Sequence, residues 1–228
     1  MQHGSVMNAK ILVTTVCCIC LAIAQAVMAD DLTSLIQQRY EKLRSFSAEF
    51  EQTLTHRESG SVQSRKGRLL FQKPLKIHWQ TRKPHAEILV VTPKEIWDYL
   101  PDEELAYRYH PDLIKNSGQI IRVVTGQAAL TKDFDLKMLK MENQLQKIKL
   151  YPKEPSTQLV EAVIWVEPAT GYIRRALAID FYGNSNKIVF NSFTPDPNIP
   201  DSDFHFTPPA GTEVEDRSKD AKGKELFN

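Results

Sequence analysis

The chain has 228 residues, 42% of them hydrophobic, and its 29 basic and 28 acidic side chains give a formal net charge of +1. That balance, with no dense basic patch, excludes a dedicated nucleic-acid binder. Its three cysteines, Cys17, Cys18 and Cys20, cluster near the N-terminus, so the rest of the chain has no material for a disulfide, a thiolate metal site or a thiol nucleophile.

Residues 1–29 read as an export signal. Lys10 supplies the positive charge, Ile11 to Ala24 form the apolar run, and Val27 to Ala29 offer small residues for cleavage before Asp30. The run is roughly 14 residues, short of the ~20 that span a bilayer. Cys20 follows Val-Cys-Cys-Ile and lacks the setting of a lipidated cysteine. Cleavage removes Lys10 and no acid, leaving equal numbers of basic and acidic side chains. A cysteine-free exported chain of this kind points to the periplasm of a bacterium with two membranes.

From Asp31 to Leu43 the apolar positions Leu32, Leu35, Ile36, Tyr40 and Leu43 follow helical spacing. At Phe46 the period becomes two, with Phe46, Ala48, Phe50 and Leu54 on one face of a strand. Further strands are predicted over 65–72, 75–81, 87–91, 95–99 and 105–109, punctuated by Pro74, Pro93 and Pro101. The run from Ile120 to Leu130 breaks the rhythm and is too apolar for a solvent loop, so it reads as one or two short helices. Extended segments resume over 134–141, 145–151, 159–166, 172–182 and 187–193, with Glu167 to Gly171 as a turn. Strand signals at roughly 8–12-residue spacing predict one antiparallel sheet, curved into a barrel or stacked as a sandwich. The expected organisation is a signal (1–29), one domain (30–214) and a charged, flexible tail (215–228).

Catalytic chemistry finds no footing. His56, His78, His85, His110 and His205 show no metal-motif spacing; His78 alternates with Ile77 and Trp79 and is expected on the solvent side of its strand. The glycines are isolated, no serine has a nucleophile-elbow setting, and Asp201 with Asp203 reads as a turn. An enzyme is not expected, nor a metal or cofactor. The aromatic residues, Trp79, Trp97, Trp165, Phe46, Phe50, Phe71, Phe181, Phe190 and Phe193, lie on separate segments. They either fill a solid core or line a cavity for an acyl chain.

Four motifs in order carry a resemblance. Leu43 to Gln52 is close to L-x-S-F-x-A-x-F-x-Q, and Gly67 to Trp79 to G-x-L-x-x-x-R-P-x-x-F-x-W. Ile88-Leu89-Val90 with Ile96-Trp97-Asp98-Tyr99 follows, then Phe204 to Val214. Together they resemble the LolA family of periplasmic outer-membrane lipoprotein carriers over nearly the whole chain after the signal, least well from Asn116 to Lys149. The resemblance implies an α+β fold, an unclosed antiparallel β-barrel covered by a lid of short helices. It implies a monomeric, non-catalytic chaperone without cofactor. Such a carrier takes triacylated lipoproteins from an inner-membrane lipoprotein-releasing ABC transporter and delivers them to an outer-membrane receptor of the LolB type.

Carried onto this chain, that implies a hydrophobic cavity lined by Phe50, Leu69, Phe71, Ile77, Trp79, Ile88, Val90 and Trp97, and a lid bearing Ile120, Val123 and Val124. Lys73 stands where the family has the arginine thought to latch the lid through backbone hydrogen bonds. Lysine keeps the charge and loses the planar fork. Two other readings stay open: a carrier of another lipid or glycolipid on the same scaffold, and an exported β-rich module for protein contacts. Alternation alone leaves the inward set open, because a one-residue register change exchanges the faces.

Overall fold

The computed structural model describes residues 31–113 and 119–219. The expected export signal, Ile114 and residues 220–228 lie outside the described residues. The N-terminal helix α1 covers residues 31–42 and buries Ile36 and Tyr40, with Leu43 just after it, as the helical spacing requires. Six strands follow: β1 (Ser45–Thr55), β2 (Val62–Gln72), β3 (Lys76–Lys83), β4 (Glu87–Val91), β5 (Ile96–Leu100) and β6 (Leu105–Tyr109). Helices α2 (Gln119–Val124) and α3 (Leu130–Asp133) interrupt them. Then come β7 (Phe134–Met138), β8 (Gln146–Pro152), β9 (Glu161–Val166), β10 (Ile173–Ile179), β11 (Ser185–Pro195) and β12 (Glu213–Arg217).

All twelve strands form one sheet in the order β12-β6-β5-β4-β3-β2-β1-β11-β10-β9-β8-β7. The end strands β12 and β7 do not meet, so the barrel is unclosed, and its helices cover one face. Neighbours are antiparallel except β12, which runs parallel to β6. Irregularities between Glu49 and Phe50 and between Lys66 and Gly67 sit on adjacent strands and give the sheet its bend. At Gly67 the two backbones approach closely: a Cβ there would lie 1.9 Å from the Gln80 carbonyl oxygen and 2.8 Å from the Phe50 ring. No larger residue fits without moving β3.

Two sequence expectations need correction. The charged tail was expected from Glu215, yet Glu215, Asp216 and Arg217 lie within β12. An edge strand keeps one flank in solvent, so polarity does not bar it. What secures it is β6: Arg108 pairs with Asp216 at 3.7 Å, and the Arg217 guanidinium lies 4.2 Å over the Tyr107 ring. Phe181, counted among strand aromatics, instead sits past the end of β10, 69% exposed beside Tyr182.

Candidate functional site

The pairing register sorts the sheet into two faces. Phe46, Ala48 and Phe50 of β1 stand opposite Phe71, Leu69 and Gly67 of β2. Leu69 and Phe71 stand opposite Trp79 and Ile77 of β3, which in turn meet Leu89 and Val91 of β4. Across the other half, Ile188 and Phe190 of β11 continue through Ala176 of β10 and Ile164 of β9 to Ile148 and Leu150 of β8. These side chains form one buried apolar cluster with Ile36 and Tyr40 of α1, Ile121, Val123 and Val124 of α2, and Leu130 of α3. The concave face is therefore largely apolar, and its core is shared with the helices.

Five of the eight expected cavity residues, Phe50, Leu69, Phe71, Ile77 and Trp79, lie on this inner face. Ile88, Val90 and Trp97 do not. Val90 stands opposite His78 and Trp97, and Ile88 opposite Gln80 and Tyr99, which puts all three on the outer face. The inner positions of β4 and β5 are the apolar Leu89, Val91 and Ile96 and the buried Asp98. The cause is a strand apolar on both faces, Ile88-Leu89-Val90-Val91, which carries no alternation to read. Counting pairs outward from Ile77 and Trp79 through the β3–β4 hairpin is the signal that finds the right set.

The outer face here is apolar because residues 201–207 cross it as a strap. Phe206 packs on Trp97 and Tyr99 with ring centroids 5.6 and 5.3 Å apart, and buried Phe204 lies against the Lys76 ammonium. Asp201 pairs with Lys76 at 2.8 Å, and His78 donates from Nδ1 to the Asp203 carbonyl at 2.5 Å. His78, expected to face solvent, is thus on the outer face and beneath the strap. Trp165 lies on the outer face as well, under the Lys147 ammonium at 4.9 Å.

The expected lid residues Val123 and Val124 are buried against the sheet, with Ile121 beside them. The side chain of Ile120 lies outside the described residues. Lys73 follows the end of β2 and donates from Nζ to the carbonyls of Tyr40 (2.7 Å) and Glu41 (2.9 Å). A cation placed on the last carbonyls of α1 satisfies acceptors that the helix leaves open and opposes its dipole. The lysine thus reaches backbone carbonyls, and the helix it holds is α1, not α2.

Tyr40 joins the covering pieces, a role the sequence reading did not assign. Its hydroxyl oxygen accepts from the Ile173 amide of β10 at 3.1 Å, and burial pushes its phenol above the usual value. Gly126, at φ +70° after α2, lies where a Cβ would stand 2.5 Å from Tyr40 Cβ. Only glycine suits that backbone and that distance. Around it, Phe46 stacks on Phe193 at 4.9 Å, Phe193 meets Tyr172 at 4.8 Å, and Phe50 tilts over Trp79 at 4.4 Å. Outside the helices, a recess of about 390 Å³ is lined mainly by polar side chains, including Arg122, Lys132, Asp133 and Lys153. It is chemically distinct from the apolar face.

A bent sheet that does not close, with helices laid over a largely apolar concave face, defines an unclosed-barrel class of scaffold. The comparisons with known proteins agree. The model of the outer membrane lipoprotein carrier protein family, LolA, matches residues 41–207, and the chain belongs to that family. It is 30% identical over 208 residues to the outer-membrane lipoprotein carrier protein of Proteus mirabilis, spanning 91% of this chain and 99% of the relative. The protein of the same name from Methylibium petroleiphilum is 28% identical over 206 residues, spanning 86% and 94%. An uncharacterized conserved protein from Thermus thermophilus shares the fold, with a TM-score of 0.52 at 12% identity over 83% of this chain and 99% of that one. Among the described residues, no helix is long and apolar enough to cross a membrane.

Proposed function

We propose that this chain is a periplasmic lipoprotein carrier, exported by residues 1–29 and working as a monomer. It takes triacylated lipoproteins from an inner-membrane ABC transporter and hands them to an outer-membrane receptor of the LolB type. The observation that carries this is the largely apolar concave face from β5 to β8, whose core is shared with α1, α2 and α3. Each acyl CH₂ kept from water contributes about 0.8 kcal/mol, so such chains do not cross an aqueous space free. Phe50, Leu69, Phe71, Ile77 and Trp79, joined by Leu89, Val91 and Ile96, supply the inner wall for them.

Transfer on this reading needs no bond-making chemistry. The helices give up contacts with the sheet as acyl chains take their place, so the net gain stays small and the cargo remains releasable. Lys73 acts as the latch by fastening α1. The test is release: the purified chain from Asp30 is incubated with spheroplasts carrying a model triacylated lipoprotein. A stoichiometric soluble complex is expected. If the lipoprotein stays on the membrane while other lipids co-purify with the protein, the carrier of a different lipid takes this reading's place.

A further inference from the structure

The inner wall is apolar from Phe46 to Phe50 and turns polar one pleat further on. Gln52, opposite Ile188, is only 1% exposed. Its Nε2 donates to Oδ1 of Asn186 at 3.1 Å, while its Oε1 is buried and receives no hydrogen bond. Thr81, opposite Gly67, is 2% exposed, and its Oγ1 also has no partner. Phe50 too stands opposite Gly67, so Gln52 and Thr81 flank the one inner position that carries no side chain. Beyond them Arg65 and Glu87 pair at 3.5 Å and are only partly buried, which makes this the polar end of the concave face.

A buried amide oxygen without a donor opposes folding, and native interiors rarely keep one without a use. Leucine at Gln52 or valine at Thr81 would match the rest of the wall without that penalty. An acyl chain attached to a polypeptide through nitrogen ends in an amide, whose N–H is a donor; an acyl chain attached through an ester ends in none. We propose that Gln52, oriented by Asn186 and assisted by Thr81, forms the subsite for the amide-bearing head of the acylated cargo. The hydrocarbon then lies along Phe50, Leu69, Phe71 and Trp79. Gln52 is thus a specificity-determining residue, favouring N-linked acyl amides over acyl esters and free hydrocarbon. This rests on the carrier reading above.

The test uses the full chain from Asp30, a synthetic tripalmitoylated cysteinyl peptide, and a hydrocarbon-tailed ester dye with no N–H. Loss of one hydrogen bond to a neutral group weakens binding by about three- to tenfold. Gln52→Leu is expected to show that loss for the lipopeptide and none for the dye, and Thr81→Val a smaller loss in the same direction. Should Gln52→Leu fold poorly, the isosteric Thr81→Val carries the test. Equal losses for both probes, or unchanged lipopeptide affinity in both variants, would overturn the subsite. A wild-type protein that binds the dye and not the lipopeptide would instead remove the carrier reading, and the subsite with it.

Discussion

The sheet covers apolar side chains on both faces of β4 and β5, and the two covers are built differently. On the inner side, Leu89, Val91 and Ile96 belong to the same buried apolar cluster as Ile36, Tyr40, Ile121, Val123, Val124 and Leu130 of the helices. Among the described residues the polar fastenings of that cover include Lys73 on the α1 carbonyls, Tyr40 on the Ile173 amide, Arg39 on the Thr170 carbonyl and Lys153 on the Thr131 carbonyl of α3. On the outer side, Val90 and Trp97 lie beneath a single strap tied at short intervals by Lys76, His78 and then the β12–β6 pairing. A cover held by apolar contact can be traded for an apolar guest, since the guest restores the same contacts. A cover that runs on into a sheet strand, as this strap does into β12, stays tethered by that strand's ladder. On the function proposed above, the same burial serves exchange on one face and permanence on the other.

Core truncation separates the faces most strongly. Phe71→Ala removes a fully buried inner ring and is expected to destabilise by about 3–5 kcal/mol and to change affinity for an acyl probe. Val90→Ala on the outer face should destabilise by about 1–2 kcal/mol with acyl affinity unchanged. Denaturant midpoints and probe titrations read both, and equal binding losses would erase the distinction between the faces. Next comes the latch. Lys73→Met removes two charge-assisted hydrogen bonds and should destabilise by about 1–3 kcal/mol, with faster amide exchange in the last turn of α1. Lys73→Arg should restore protection, because its fork reaches the same carbonyls.

Loosening the strap should do less. Phe206→Ala gives up ring contacts with Trp97 and Tyr99, at about 1–2 kcal/mol, and shifts Trp97 emission toward that of a wetted indole while acyl binding holds. An acyl-binding defect in that variant would mean the two covers are coupled. The smallest effect is acid sensitivity of the helical cover. Hydrogen bonds from Arg174 and Thr170 hold the Glu167 carboxyl below its usual value, in the turn whose Thr170 carbonyl receives Arg39 of α1. A depressed carboxyl contributes stability fully above the ordinary unfolded value, and that contribution disappears as pH falls through the folded one. Solvent screening limits it to a few tenths of a kcal/mol. Carbon-detected titration should show Glu167 below the ordinary range, and Arg174→Gln should return it there.

Much of this is legible in the sequence, for reasons visible in particular residues. Leu35, Ile36, Tyr40 and Leu43 repeat at the helical period, and Phe46, Ala48 and Phe50 alternate cleanly, because each of those elements has one wet side to contrast with its dry one. The motifs around Phe46, Gly67 and Trp79 point to the family that the comparisons show. Where both sides are dry, at Ile88 to Val91, alternation vanishes and the motif residues mark the wrong face. Gln52 lies within a motif, yet its unpaired oxygen is a property of its surroundings.

From the sequence alone follow the export-like N-terminus, a chain free of cysteine after Cys20, the helix-then-strands order and the family. These rest on local periods and on residue types that no neighbour can alter. Tertiary structure alone decided that Ile88, Val90 and Trp97 face outward, that Glu215 to Arg217 form a strand, that Lys73 holds α1, and that Tyr40 seats Gly126. Each of these depends on which distant segment arrives at a given face. Burial is set by that arrival, while a strand of period two presents either face equally well until something covers it.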